Sequence, residues 1–301
     1  SSENVAIGRS ALQELNHTTA TNGFNTAVGS DAGKSVTTGT QNTLIGGLSG
    51  DALTDADQNT AVGVHSLASD TLGSRNVAIG HAALFSQNFT TATNAYNVAM
   101  GVDAGFSITT GVRNTLLGGL AGDALTDADD NVVIGMGALS ADTLGSGSVA
   151  VGKGALALQN FTTATTSYNV AVGLDAGNAI TTGFQNTIMG GLAGDALTDA
   201  DSNVAVGYFA LSNDSLGSFS VAIGSAALAA QNFTTATSTY NTAVGALAGN
   251  AITTGVFNTL IGGLAGDALT DADHNVAIGE DALAQDTLGS KSVAIGRTAL
   301  F

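Results

Sequence analysis

One five-residue pattern decides what this chain can fold into. Asn or Ser, then Val or Thr, any residue, an aliphatic residue or Met, and finally Gly recur seventeen times, from Asn4-Val-Ala-Ile-Gly8 to Ser292-Val-Ala-Ile-Gly296. The starts are spaced 21, 17, 17 and 17 residues before the cycle returns. The superrepeat is therefore 72 residues, with copies at 4–75, 76–147, 148–219 and 220–291 and a partial coil at 292–301. A 17-residue period is too short for a helix pair, which takes over about thirty residues. A β-branched and apolar run closing on Gly reads as a short strand and a turn. One strand plus a return path per period predicts an all-β fold, a parallel β-solenoid or β-roll of about 17 coils. Each coil cannot bury its own face and is stabilised by stacking on its neighbours. At about 4.8 Å per coil the result would be a rod roughly 80 Å long. The whole of 1–301 reads as a single repetitive segment of a longer fibre.

The strand has two unlike faces. Val5 and Ile7 point one way, and Asn4, Ala6 and Gly8 the other. Both are largely apolar, so both need cover. One face can line the coil, and identical chains side by side are the simplest cover for the second; which face lies inside stays open. Small residues seven positions after each motif start (Ala11, Ala32, Ser49, Ser66) support tight packing, and the next position cycles Leu84, Gly105, Gly122, Leu139. The aligned column that includes Asn42, Asn114, Asn186 and Asn258, with its closing Gly46, Gly118, Gly190 and Gly262, predicts an Asn ladder between coils, or a plain turn former.

The strings Ser148-Val-Ala-Val-Gly152 and Ser292-Val-Ala-Ile-Gly296, each followed by two residues and Ala, resemble the head repeats of trimeric autotransporter adhesins. Asn25-Thr-Ala-Val-Gly29 and Asn59-Thr-Ala-Val-Gly63 also resemble arrays in phage tail-fibre proteins. The resemblance covers the whole chain. It implies a left-handed roll, a homotrimer, and an adhesive or structural fibre on a cell or virion surface that meets a host surface or glycan receptor. The alternative it implies is a phage tail fibre for host recognition. The coils here are longer than in the best-known heads.

Composition narrows the partners. The formal charge is −17, from seven Lys and Arg against 24 Asp and Glu. That balance argues against nucleic acid and anionic membrane. No apolar run approaches the roughly 20 residues of a membrane span. Cysteine is absent, which excludes a disulfide framework, a thiolate metal site and a thiol nucleophile.

Gly-Asp-Ala-Leu-Thr-Asp-Ala-Asp occurs four times, at 50–57, 122–129, 194–201 and 266–273. Its end gives Asp55, Asp57 and Asn59, repeated as Asp127, Asp129 and Asn131, as Asp199, Asp201 and Asn203, and as Asp271, Asp273 and Asn275. Oxygen ligands at i, i+2 and i+4 resemble the start of a Ca²⁺ loop, although the loop glycine and the distal Glu are missing; the other reading is a solvated acidic turn. The 21-residue coil carries Asn16, Asn88, Asn160 and Asn232 in register, each in an Asn-x-Thr glycosylation pattern on a predicted surface bulge. Phe89, Phe161 and Phe233 are expected to pack over that bulge. Gly29-Ser-Asp-Ala-Gly-Lys-Ser35 is one residue short of a phosphate loop, and its copies lose the lysine. His17, His65, His81 and His274 occupy different places in the repeat, so no two are expected to stack into a metal or catalytic pair, and each reads as a surface substitution. No catalytic set stands out, so the expectation is no enzyme and no cofactor apart from Ca²⁺ at the Asp turns. A carbohydrate-acting fibre enzyme and an ice-binding face built on Thr37-Thr38 and its copies are the remaining readings.

Overall fold

The structure is a computed structural model describing residues 2–301. It contains no helix among these residues and is a parallel β-solenoid of about 17 turns. Each motif copy forms a three-residue strand, and the coils group into two compact units. The first is Ser1–Ser148 with Asn160–Thr166, and the second is Val149–Gln159 with Ser167–Phe301.

In the first unit the motif strands run from Val5–Ile7 to Val132–Ile134. Successive strands pair in parallel with no slip, so Thr43 lies beside Thr60 and Leu44 beside Ala61. The second unit repeats this from Val149–Val151 to Val293–Ile295, with Thr187 beside Val204 and Ile188 beside Ala205. Three of the four bulges also carry a two-residue pairing, and the first has a single bridge between Ser2 and Asn22. Gly73–Ser74 lies beside Thr93–Asn94, Gly145–Ser146 beside Thr165–Thr166, and Gly217–Ser218 beside Thr237–Ser238.

The inward face is the one bearing Asn, the third motif residue and Gly. Asn42, Leu44, Asn59 and Ala61 are all fully buried, whereas Ile45 is exposed. Small residues win this face because the coil is thin. A Cβ added to Gly46 would sit 2.4 Å from the carbonyl oxygen of Gly63, so the invariant glycine marks the place where backbones of adjacent coils touch. Where the third residue grows from Ala to Leu, the neighbouring turn shrinks to Gly. A Cβ on Gly50 would lie 2.7 Å from Leu44 and 2.9 Å from Leu53. That interlock fills the interior at the density expected of a protein core.

Every coil turns at three residues in the left-handed region. In one coil they are Leu48, Gly50 and Gln58; in the next, His65, Leu67 and Arg75, with φ between 51° and 66°. Non-glycine residues adopt this conformation at a cost of about 1–2 kcal/mol each. Backbone bonds to the adjacent coil offset it: His65 N–H donates to Gly47 O at 3.0 Å, and Arg75 N–H to Asp57 O at 3.0 Å.

Candidate functional site

The Asn column forms a ladder. Asn42 N–H donates to Asn25 Oδ1 at 2.9 Å, and Asn59 N–H donates to Asn42 Oδ1 at 2.9 Å. The Asn42 Nδ2 donates to Ala56 O at 2.7 Å, and Asn59 Nδ2 to Gly73 O at 2.9 Å, closing each coil on itself. The same bonds recur at Asn114, Asn186 and Asn258, whose Nδ2 atoms reach Ala128 O, Ala200 O and Ala272 O at 2.7, 2.8 and 2.7 Å. A buried amide so placed satisfies backbone groups that a thin interior would otherwise leave unpaired.

Serine at the ladder position needs a compensating change. Ser220 is too short to reach the next coil, and the space is filled by Thr239 Oγ1 at 2.6 Å and Gln231 Nε2 at 2.8 Å. Thr239 stands where the Asn76 copy has Ala95. Both positions change together within the four repeats, so the sequence carried this signal.

In the acidic turns the three expected oxygen ligands divide between two roles. Asn59 is spent inside the coil, while the Asp55 and Asp57 carboxylates face the preceding coil. Thr38 Oγ1 donates to Asp55 Oδ1 at 2.5 Å, and Thr40 N–H and Oγ1 donate to Asp57 Oδ1 at 2.7 and 2.9 Å. The copies repeat this, with Thr110 on Asp127, Thr182 on Asp199 and Thr254 on Asp271 at 2.5–2.6 Å. Asp129, Asp201 and Asp273 accept from the N–H groups of Val112, Phe184 and Val256, while Asn131, Asn203 and Asn275 belong to the ladder. The second threonine of each Thr-Thr pair is thus a hydroxyl partner for an aspartate one coil on. Among the described residues no group of three or more His, Asp or Glu side chains is placed to hold a metal ion.

Asp51, Asp123, Asp195 and Asp267 each bury one carboxylate oxygen, Oδ1, that has no hydrogen-bond partner among the described residues. Burial pushes all four carboxyls above the ordinary aspartate value. Asp130 goes the other way, held down by its hydrogen bond to Arg113.

The bulge is held by a network that the repeat pattern alone did not reveal. Asp70 is fully buried. Its Oδ1 accepts from Gly73 N–H at 3.0 Å and Phe89 N–H at 3.1 Å, and its Oδ2 from Gln87 Nε2 at 2.6 Å. The Gln87 Oε1 accepts from Asn97 Nδ2 at 2.8 Å, joining the network to the ladder. Asp214 repeats it with Gly217, Phe233 and Gln231. Phe89, Phe161 and Phe233 are 6% exposed, with their rings against Gly73, Gly145 and Gly217 of the preceding coil. Asn16, Asn88, Asn160 and Asn232 are exposed at its surface, and the Thr71 hydroxyl donates to Asn88 Oδ1 at 3.1 Å.

Two surfaces face outward. The second and fourth motif residues line the outer sheet face without a charge: Val132 and Ile134 in the first unit, Met189 and Ile261 in the second, between 36% and 44% exposed. The residues just before the ladder Asn form a ridge. In the second unit it is a stack of Phe219, Tyr240, Phe257 and His274, with ring centroids 5.3, 5.4 and 4.8 Å apart. In the first unit it is polar: Gln58 Nε2 donates to Gln41 Oε1, Arg75 Nε to Gln58 Oε1, and Arg75 lies over the Tyr96 ring. The expectation that no two histidines meet is corrected here. His65 and His81 fall on adjacent coils with ring centroids 6.4 Å apart. They stand seven and six residues into their coils, and the stacking brings such diagonal positions together.

Among the described residues no helix is long and apolar enough to cross a membrane. No protein-family model, curated protein or solved structure matches this chain.

Proposed function

We propose that this chain is a structural and adhesive segment of a surface fibre, assembled as a homotrimer of left-handed rolls, with a mechanical rather than catalytic role. The outward sheet face carries the reading. Two columns of Val or Thr and Ile, Val, Leu or Met run through each unit with no charged residue. The chain otherwise carries a net charge of −17. An uncharged apolar strip of this length marks an interaction surface. A second and third copy supply the same strip, as closed symmetric assembly requires. Zero-slip backbone ladders then give a stiff, protease-resistant spacer, and the bulges and ridge are left to meet a host surface or glycan.

Light scattering on the native protein tests this. Three chains of 29.4 kDa give about 88 kDa. Ile134→Glu together with Ile261→Glu should lower that mass to one chain while the far-ultraviolet spectrum stays β-rich. A native mass of one chain overturns the assembly and leaves the strip unexplained.

A further inference from the structure

We propose that His65 and His81 form a two-imidazole site for a divalent first-row transition ion of the imidazole-preferring kind, Zn²⁺, Ni²⁺ or Cu²⁺, independently of the fibre reading above. The four superrepeats act as internal controls. Residues matching His65 at multiples of 72 positions are Gly137, Phe209 and Asp281; those matching His81 are Arg9, Lys153, Ser225 and Arg297. Phe85 corresponds to Gln13, Ala157, Ala229 and Phe301, and Phe106 to Lys34, Asn178 and Asn250. Only one stretch of the chain brings two imidazoles and two phenyl rings to these four places. There they form one cluster: His65 lies 5.8 Å edge-on from Phe85, and Phe85 stacks on Phe106 at 5.1 Å.

The placement puts two imidazoles within reach of shared coordination. Two imidazoles holding one ion at about 2.1 Å from each nitrogen have ring centroids about 4.5–5.5 Å apart at a tetrahedral or cis angle, and about 6.4 Å apart when trans. His65 and His81 stand at 6.4 Å with planes 80° apart, so a side-chain rotation that closes the pair by about 1 Å brings both to one tetrahedral or cis ion. His81 Nδ1 faces Asp103 Oδ1 at 3.5 Å. A carboxylate on one ring nitrogen keeps the proton there and leaves the lone pair on the other, Nε2. Asp103 is thus a positioning residue behind His81, and water completes the coordination. Elsewhere in the repeat the same contact is an ordinary ion pair, Arg9 with Asp31 at 2.6 Å. Replacing Arg9 by histidine at the matching place turns a fixed cation into a ligand. The Phe85–Phe106 stack fixes the His65 ring from one side, and the acidic surface raises the local cation concentration.

Titration calorimetry with ZnCl₂ near pH 7.5 should show one saturable site per chain. His81→Ala and His65→Ala should each abolish it, and Asp103→Asn should weaken it by about tenfold. A second readout separates this from loose binding to aspartates: Cu²⁺ should broaden the imidazole proton resonances of His65 and His81 well before those of His17 and His274. CaCl₂ should neither compete nor protect. The proposal is overturned if no site of unit stoichiometry is found, if His81→Ala leaves affinity unchanged, or if all four histidines broaden together. Both side chains reach the surface, so a folded His81→Ala variant, checked by its β-rich spectrum, is expected.

Discussion

Replacing Asp70 by Ala tests whether the buried carboxylate is what seats the longer coil. The substitution removes three acceptor contacts, to Gly73 N–H, Phe89 N–H and Gln87 Nε2. It leaves those donors buried. Hydrogen bonds to a charged group are worth about 1.5–3 kcal/mol each, and breaking a buried charged network by deleting one partner costs about 3–5 kcal/mol. About 4 kcal/mol is a reasonable centre, because bulge residues 90–92 can open to water and recover part of the loss. Contacts in a stacked array run only between neighbours, so a global melting temperature is the wrong readout. Amide hydrogen exchange is the right one. Protection at Phe89, Thr93 and Ala95 should fall by about a thousandfold, each factor of ten being about 1.4 kcal/mol. Amides of coils in the second unit should keep theirs. Asp70→Asn, which retains one acceptor oxygen but turns an amide toward Gln87, should fall between the two. Unchanged protection at Phe89 would refute the argument, and so would a uniform loss along the chain.

Three further outcomes are expected. Gly46→Ala forces a Cβ to within 2.4 Å of Gly63 O at φ 134°; strain of about 1–3 kcal/mol or more should appear as faster exchange in the flanking coils, and wild-type exchange there would contradict the close-contact account. The raised carboxyls of Asp51, Asp123, Asp195 and Asp267 mean that the folded state binds more protons than the unfolded one between the ordinary aspartate value and the folded value. Their burial penalty is therefore present at neutral pH and relieved as pH falls through that window, so thermal stability should rise from pH 7 toward pH 4, and replacing all four by Asn should flatten the rise. Because Asp55 and Asp57 already accept from Thr38 and Thr40, millimolar CaCl₂ should leave the thermal midpoint where a chelator leaves it; a clear upward shift would return these turns to the Ca²⁺ reading.

Much of the fold was legible because a repeat exposes its own constraints. Glycine at one position in seventeen copies signals a shared backbone problem, and at Gly8, Gly29, Gly46 and Gly63 the structure shows it to be contact with the neighbouring coil. The strand, its period and the buried Asn column followed in the same way. Which strand face lies inside was not legible, since Val-Ile and Ala-Leu are both apolar; coil thickness decides in favour of the smaller set. The left-handed turns were hidden too, because Leu48, His65 and Arg75 carry no turn signature, and the conformation is imposed by bonds to the adjacent coil. Asp70 is set apart from the other acidic residues only by its partner Gln87, which recurs at the same place in the repeat as Gln159 and Gln231. The histidine pair was not legible because His65 and His81 hold different places in the period, whereas stacking makes diagonal positions neighbours.

The Asp70–Gln87 contact makes the chain's length change in indivisible steps. Asp70 belongs to the last 17-residue coil of one superrepeat, and Gln87 to the 21-residue coil that opens the next. Excising a single coil, residues 59–75, would set Gln87 against Leu53, the residue matching Asp70 one coil earlier. It would strand a buried amide on a hydrocarbon surface and remove the partner for Phe89 N–H. Excising 72 residues restores every such meeting, whichever coil the cut begins in. Gene duplication or loss in this array is therefore filtered to whole four-coil cassettes. Lengthened relatives built by recombination should differ by multiples of 72 residues, with their junctions free to fall anywhere in the cycle.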